Sequence, residues 1–148
     1  MKTQELIAAL AGHPLVKGMP DEHLAALSKL ALPVRCGPGE YIFRRGFPAS
    51  RFYLINEGRI AVGALDPEHT ITQVVSAGEA LGWSWLFPPY KWHFEAKALT
   101  PVEAVFIDAA RLRTLCEEDH SFGYEFLKRA VETMADRRAC QGCGKGPV

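Results

Sequence analysis

Six aromatic residues fall between positions 83 and 94: Trp83, Trp85, Phe87, Tyr90, Trp92 and Phe94. They include every tryptophan of the chain, although the whole sequence holds only three Trp, four Tyr and eight Phe. Rings at this density can stack on a flat or apolar body. A small-molecule site is commonly built this way, with many apolar walls and a few placed polar groups. Polar groups are interleaved here: Lys91 and His93 flank Trp92, and backbone N–H groups near Gly82 and Ser84 could meet an anion at the start of a helical turn. Gly82, Trp83, Ser84, Trp85, Lys91, Trp92 and His93 are therefore the candidate ligand-binding residues. The same rings have a second reading, in which they plug the mouth of a barrel and complete its core.

Other chemistry is less supported. Cys140-x-x-Cys143 has the spacing of half a zinc or redox site, but no second paired motif supplies the remaining ligands. These thiols read as structural or incidental tail residues, with metal or redox use through a second chain as the alternative. Cys36 and Cys116 read as buried core thiols. The histidines, His13, His23, His69, His93 and His120, lack the close pair with a nearby glutamate that a cupin-type metalloenzyme needs, so that enzyme is kept only as a control reading. Arg44, Arg45, Arg51 and Arg59 suit a solvated strand edge, with phosphate binding the minor alternative. No nucleophile elbow, phosphate-binding loop or triad-like grouping is present. No catalytic residue, metal ligand set or cofactor is assigned.

The elements that must position these rings follow from periodicity. Leu6, Ile7, Leu10 and Ala11 mark one helical face, ended by Gly12-His13-Pro14. Pro20-Asp21-Glu22 starts a second helix with a buried stripe of Leu24, Leu27 and Leu30, closed by Pro33. From Val34 the pattern turns to short strands parted by glycine turns, with Arg51–Ile55 the clearest and Asn56-Glu57-Gly58 a hairpin signal. In the last strands Trp92, Phe94, Ala96 and Ala98 should alternate inward and His93, Glu95 and Lys97 outward. After Asp108, a plausible N-cap, helical spacing returns. Ser121 caps a longer helix whose stripe is Phe122, Phe126, Leu127, Ala130 and Met134. The boundaries are thus 1–33 helical, 34–108 a β-barrel core, 109–138 C-terminal helices and 139–148 a flexible tail, all in one domain. At 148 residues and 48% hydrophobic the chain can bury a core. Seventeen basic residues against seventeen acidic ones give no net charge to bind nucleic acid. No apolar run is long enough for a bilayer and the N-terminus is a poor signal peptide, so a cytoplasmic, non-membrane protein is expected.

The order of elements, with Pro38-Gly39-Glu40-Tyr41-Ile42-Phe43, Gly46, Phe52-Tyr53-Leu54-Ile55, Glu57-Gly58, Gly78-Glu79-Ala80-Leu81-Gly82 and Ala98-Leu99-Thr100, resembles the cyclic nucleotide-binding domain of the catabolite activator and fumarate-nitrate regulator superfamily. The resemblance spans roughly residues 13 to 137. It implies a mainly β fold with flanking α-helices, a double-stranded β-helix or jelly-roll barrel. It also implies a ligand-binding cassette after Gly82 and dimerisation through the last helix. Two places depart from the family. The glutamate that holds the ribose is replaced by Trp83, and the arginine that pairs with the cyclic phosphate is replaced by Trp92, followed by His93. Indole is an uncharged donor and cannot make that phosphate pair. The clustered N-terminal cysteines of an iron–sulfur sensor are missing, and no helix-turn-helix segment follows the last helix. The expectation is a non-enzymatic sensory or regulatory domain, homodimeric or docked on a protein partner, with no DNA binding by this chain alone. Its aromatic pocket takes a ligand other than cyclic AMP. The alternative is a ligand-free interaction module with a filled barrel.

Overall fold

The computed structural model describes residues 3–141, and the side chains of residues 4–133. Its elements in order are α1 (Thr3–Gly12), α2 (Asp21–Ser28), β1 (Ala31–Cys36), β2 (Tyr41–Phe43), β3 (Arg51–Glu57), β4 (Arg59–Ala64), β5 (Thr70–Ser76), β6 (Ala80–Leu81), β7 (Glu95–Ala98), β8 (Val102–Asp108), α3 (Ala109–Glu118) and α4 (His120–Gln141). The strands form two antiparallel four-stranded sheets, ordered β1-β8-β3-β6 and β2-β7-β4-β5. They face each other as a jelly roll, the mainly β fold with flanking helices that the sequence implies.

Register sorts the core into two layers. Tyr53 lies opposite Phe106 and Ile55 opposite Ala104, and these residues face the second sheet, where Ile60 opposes Ala98 and Val62 opposes Ala96. The alternate residues Phe52 and Leu54, opposite Ile107 and Val105, form the other face. There Phe52 meets Phe126 of α4, ring centroids 5.9 Å apart. β3 is thus buried on both faces, which is why Phe52-Tyr53-Leu54-Ile55 reads as a continuous apolar run rather than an alternation. The hairpin into β4 turns at Gly58, φ +103°, where a Cβ would overlap the Pro101 carbonyl and Val102.

The helices are fastened to this frame by named bonds. The Asp108 carboxylate accepts the Arg111 N–H at 3.0 Å and caps α3 as expected. α4 begins two residues earlier than expected, because the cap is Asp119, accepting from the Phe122 N–H at 3.1 Å, and not Ser121. Arg129 on α4 pairs with Glu125 at 2.7 Å and donates to the carbonyls of Leu15 and Lys17. His13 is 1% exposed; its Nδ1 accepts from the Leu15 N–H and its Nε2 donates to the Glu79 carbonyl at 3.0 Å. These bonds join the N-terminal segment both to α4 and to the turn that leads into β6.

Several expectations change. The first strand starts at Ala31, not Val34: Pro33 lies inside β1, which is an edge strand and tolerates its missing N–H. On α1, Ile7 is exposed, and Leu6, Ala9 and Leu10 face the core instead. β6 has no counterpart in the sequence reading, since two residues carry no periodicity. Glu95 is buried at 4%, not turned outward. The loop between β4 and β5 covers it, with the Asp66 N–H donating to Glu95 Oε1 at 2.8 Å. Phe122, Phe126 and Ala130 belong to this chain's own core and are not a free stripe. Cys36 and Cys116 are half-buried rather than fully buried. α4 runs to Gln141, past the boundary placed at 138. The Met134 and Cys140 side chains and the whole of Cys143 lie outside what the structure describes.

Candidate functional site

The aromatic segment leaves β6 through Gly82, whose φ of +94° and ψ of 61° turn the chain sharply. A short 3₁₀ turn, Trp83–Leu86, follows. Phe87-Pro88-Pro89 leads to Tyr90, a non-glycine residue at φ +57°. Contacts on both sides hold Tyr90 there: its N–H donates to the Phe87 carbonyl at 2.9 Å, and its own carbonyl accepts from Ala49 at 2.7 Å. The Arg113 guanidinium covers its ring at 4.1 Å while donating to the Trp85 carbonyl. The next residues pair like a strand with the loop between β2 and β3. The Gly46 N–H donates to the Trp92 carbonyl at 2.9 Å, and the Trp92 N–H donates to the Phe47 carbonyl at 3.0 Å. Pro48 and Lys91 form a β-bridge.

This path sends the tryptophans in two directions. Trp83 and Trp85 turn to the helix-facing side of the first sheet, with ring centroids 4.7 and 5.6 Å from Phe52. Trp85 also meets Phe126 at 6.2 Å, and its indole N–H is buried without a partner. Trp92 turns the other way and stacks on Phe43 at 3.8 Å and 11°. Its six-membered ring lies on Gly82: a Cβ built there would come within 2.8 Å of Cη2 and 2.9 Å of Cζ3. Of the candidate residues the structure therefore joins Gly82 and Trp92 and sends Trp83 and Trp85 elsewhere. Ser84 is half-buried, and Lys91 and His93 are exposed. Phe87 is exposed at 66%, and Phe94 packs on the edge of the core.

A cavity of about 400 Å³ opens beside Trp92, bounded chiefly by Tyr41, Phe43, Phe47, Arg51, Tyr53 and Trp92. Only Trp92 among the candidate residues lines it. Arg44, also on its wall, is held by Asp66 at 3.0 Å and stacks on Tyr41 at 4.1 Å. Arg51 stacks on the Phe106 ring at 4.0 Å. Burial pushes the Tyr53 hydroxyl above its ordinary pKa, and the charge of the nearby Arg51 guanidinium acts in the opposite sense. Arg51 precedes, and Tyr53 lies within, the Phe52-Tyr53-Leu54-Ile55 run that signals β3. Aromatic and β-branched composition shows that run to be a strand, but only the tertiary structure shows which of its residues line the cavity. Among the described residues, no three His, Cys, Asp or Glu side chains gather as a metal site.

Two facing antiparallel sheets, a turn-and-loop cassette after β6 and helices layered on one sheet define a jelly-roll domain with flanking helices. Residues 33–119 match the family model described as cyclic nucleotide-binding domain, and the chain belongs to that family. It is 30% identical over 124 residues to a CRP-like cAMP-activated global transcriptional regulator of Mycobacterium tuberculosis, an alignment covering 82% of this chain and 54% of that protein. The chain thus spans about half the length of the curated relatives it matches. The solved structure of a cyclic nucleotide-binding protein from Geobacter metallireducens GS-15 superposes with a TM-score of 0.78 at 23% identity, covering 93% of this chain and 98% of that one. The sensor domain of the transcriptional regulator DNR from Pseudomonas aeruginosa gives 0.70 at 19% identity, covering 91% and 92%. At these identities the structures establish the fold. The family and its regulator relatives support a sensory or regulatory role.

Proposed function

We propose that this chain is a non-enzymatic, cytoplasmic sensory or regulatory domain that responds to a small molecule other than cyclic AMP, taken up at the ring-lined mouth of the barrel. The observation that carries this reading is the Trp92 indole lying on Gly82. By the family resemblance that is the entry to the cassette where a cyclic phosphate would be received. An apolar ring there offers no counter-charge, and a desolvated phosphate without one is costly. Two charge-assisted anchors, at ~1.5–3 kcal/mol each, are replaced by Trp83 and Trp92. On the other side of Trp92 the cavity of about 400 Å³ falls within the size range of small-molecule sites. Titration calorimetry with cyclic AMP and cyclic GMP should give no saturable heat up to millimolar ligand. Low-micromolar binding of either overturns the reading.

A second reading, a ligand-free interaction module, draws support from the 5%, 0% and 5% exposures of Trp83, Trp85 and Trp92, which are core values. Native mass spectrometry of the purified chain separates the two: a retained small molecule supports the first, a bare mass the second. The assembly proposed under either is a homodimer along α4. Among the described residues its exposed large apolar side chains are Tyr124 (70%), Leu127 (37%) and Val131 (62%), and their 3-then-4 spacing matches the seam of a two-helix coiled coil. With no net charge, the chain alone is expected to give no gel shift that survives competitor DNA.

A further inference from the structure

The cavity at the barrel mouth contains one unneutralised charge. Arg44 is spent: Asp66 holds it at 3.0 Å, and Glu95 stands 3.9 Å away. Arg51 is different. It lies opposite Asp108 in the β3–β8 register, but that carboxylate is committed to capping α3. Among the described residues Arg51 forms no ion pair with a carboxylate, although its guanidinium is stacked over the Phe106 ring and it shares the cavity wall with Tyr53. A guanidinium fixed over a ring keeps its remaining N–H edge free for a planar anion. The walls around it are the faces and edges of Phe43, Tyr53 and Trp92, with exposed Phe47 at the rim.

We infer that this cavity is a binding site for a small aromatic carboxylate, with the ring lodged against Trp92 and Phe47 and the carboxylate paired with Arg51. The inference rests on the reading above that the mouth, not the cyclic nucleotide cassette, takes the ligand. One uncompensated positive charge balances one negative charge. A carboxylate meets that condition and matches the planar fork of arginine, whereas a phosphate monoester dianion would bring a second charge that this one guanidinium leaves unmatched. The ring-rich wall asks for a flat apolar body of one or two rings, because a bare acid such as acetate would leave most of the cavity unfilled.

The probe is 2-naphthoate, titrated calorimetrically into the full chain beside its uncharged counterpart, 2-naphthalenemethanol. The expected result is saturable binding of the acid, weaker by about tenfold or more for the alcohol and for Arg51→Gln. Arg51→Lys should keep part of the affinity, because the charge remains while the fork is lost. Lys29→Gln, at the end of α2, should bind as the parent does. Far-UV circular dichroism and the unfolding midpoint establish that each variant is folded. Absence of saturable binding by the acid, equal binding of the alcohol, or an unchanged affinity in Arg51→Gln overturns the inference. Cyclic AMP is titrated in parallel. Cyclic AMP binding at low-micromolar concentration would remove the reading on which the inference rests, whereas silence from both cyclic AMP and naphthoate would remove the aromatic carboxylate alone.

Discussion

Gly82→Ala tests the proposed closure of the cassette directly, because it places one methyl group at the contact on which the functional reading depends. Two separate costs arise. The first is conformational: at φ +94° an L-residue is strained by about 1–2 kcal/mol. The second is steric, since the new Cβ would stand 2.8 and 2.9 Å from the Trp92 ring. That ring is stacked on Phe43 and its backbone is bonded to Gly46 and Phe47, so it has little room to yield. Overpacking of this kind costs about 1–3 kcal/mol. Trp92→Ala alone should cost about 3–5 kcal/mol as a buried ring is deleted. In the double variant the steric cost disappears while the conformational cost remains. The two substitutions should therefore be less than additive by about 1–3 kcal/mol. Urea unfolding followed by far-UV circular dichroism reads all four proteins without relying on the tryptophan signal that one substitution removes. Additivity to within a few tenths of a kcal/mol would mean that Trp92 does not rest on Gly82, and the argument against cyclic nucleotide would lose its physical ground.

Other consequences can be measured on the same protein. Burial lowers the pKa of His13 below its usual 6.5, outweighing the bonds to backbone that raise it. The unfolded chain then takes the proton first as pH falls, so stability should drop from about pH 6.5 down to the lower folded value and flatten below it. His13→Gln should remove that part of the slope in urea midpoints measured across pH, and an unchanged slope would contradict the assignment. Burial raises both described thiols, Cys116 to about 11, with Glu117 adding to the effect, and Cys36 with help from Glu40. Iodoacetamide at about pH 8 should spare both in the folded chain and label them in urea, because the thiolate is the nucleophile. Labelling of native Cys116 at the rate of a free thiol would be the contrary result. Leu127→Glu should convert a dimer to monomer in sedimentation at tens of micromolar while leaving the fold intact, since Leu127 is partly exposed. A parent chain that sediments as monomer would end the α4 dimer proposal.

The parts of the fold that could be read in the sequence share a physical property: each is governed by local rules. The turn at Gly58, the Asp108 cap and the start of β3 at Arg51 follow from propensity and short-range bonding. Failures occur where distant contacts decide. Nothing near Glu95 indicates that a loop some thirty residues earlier covers it through the Asp66 N–H, so simple alternation misplaces it. Ser121 is a good capping residue by type, yet Asp119 does the work because the turn between α3 and α4 brings its carboxylate to the Phe122 N–H. The stripe Phe122, Phe126 and Ala130 is real as a pattern, but periodicity cannot tell an own core from a partner's. The aromatic segment shows the same limit. Its composition marks it as unusual, whereas the parting of Trp83 and Trp85 from Trp92 depends on the left-handed turn at Gly82 and on pairing with the loop at Gly46–Ala49.

That parting has a mechanical consequence. Trp92 lines the cavity, and its backbone is one residue pair away from Tyr90, which is held in a left-handed conformation by bonds on both sides. The Tyr90 ring lies under Arg113 of α3, and the same guanidinium holds the Trp85 carbonyl. Trp85 in turn packs on Phe126 of α4. A ligand that displaces the Trp92 ring moves a backbone segment carrying little slack. The available relief is through Tyr90, where leaving the left-handed region releases strain of order 1–3 kcal/mol. Movement of Tyr90 would uncover Arg113, whose guanidinium also holds the Trp85 carbonyl, and the next packed surface is α4. Under the proposed reading, the rings at Gly82 would therefore also be the contacts through which occupancy of the mouth reaches the helix bearing Tyr124, Leu127 and Val131.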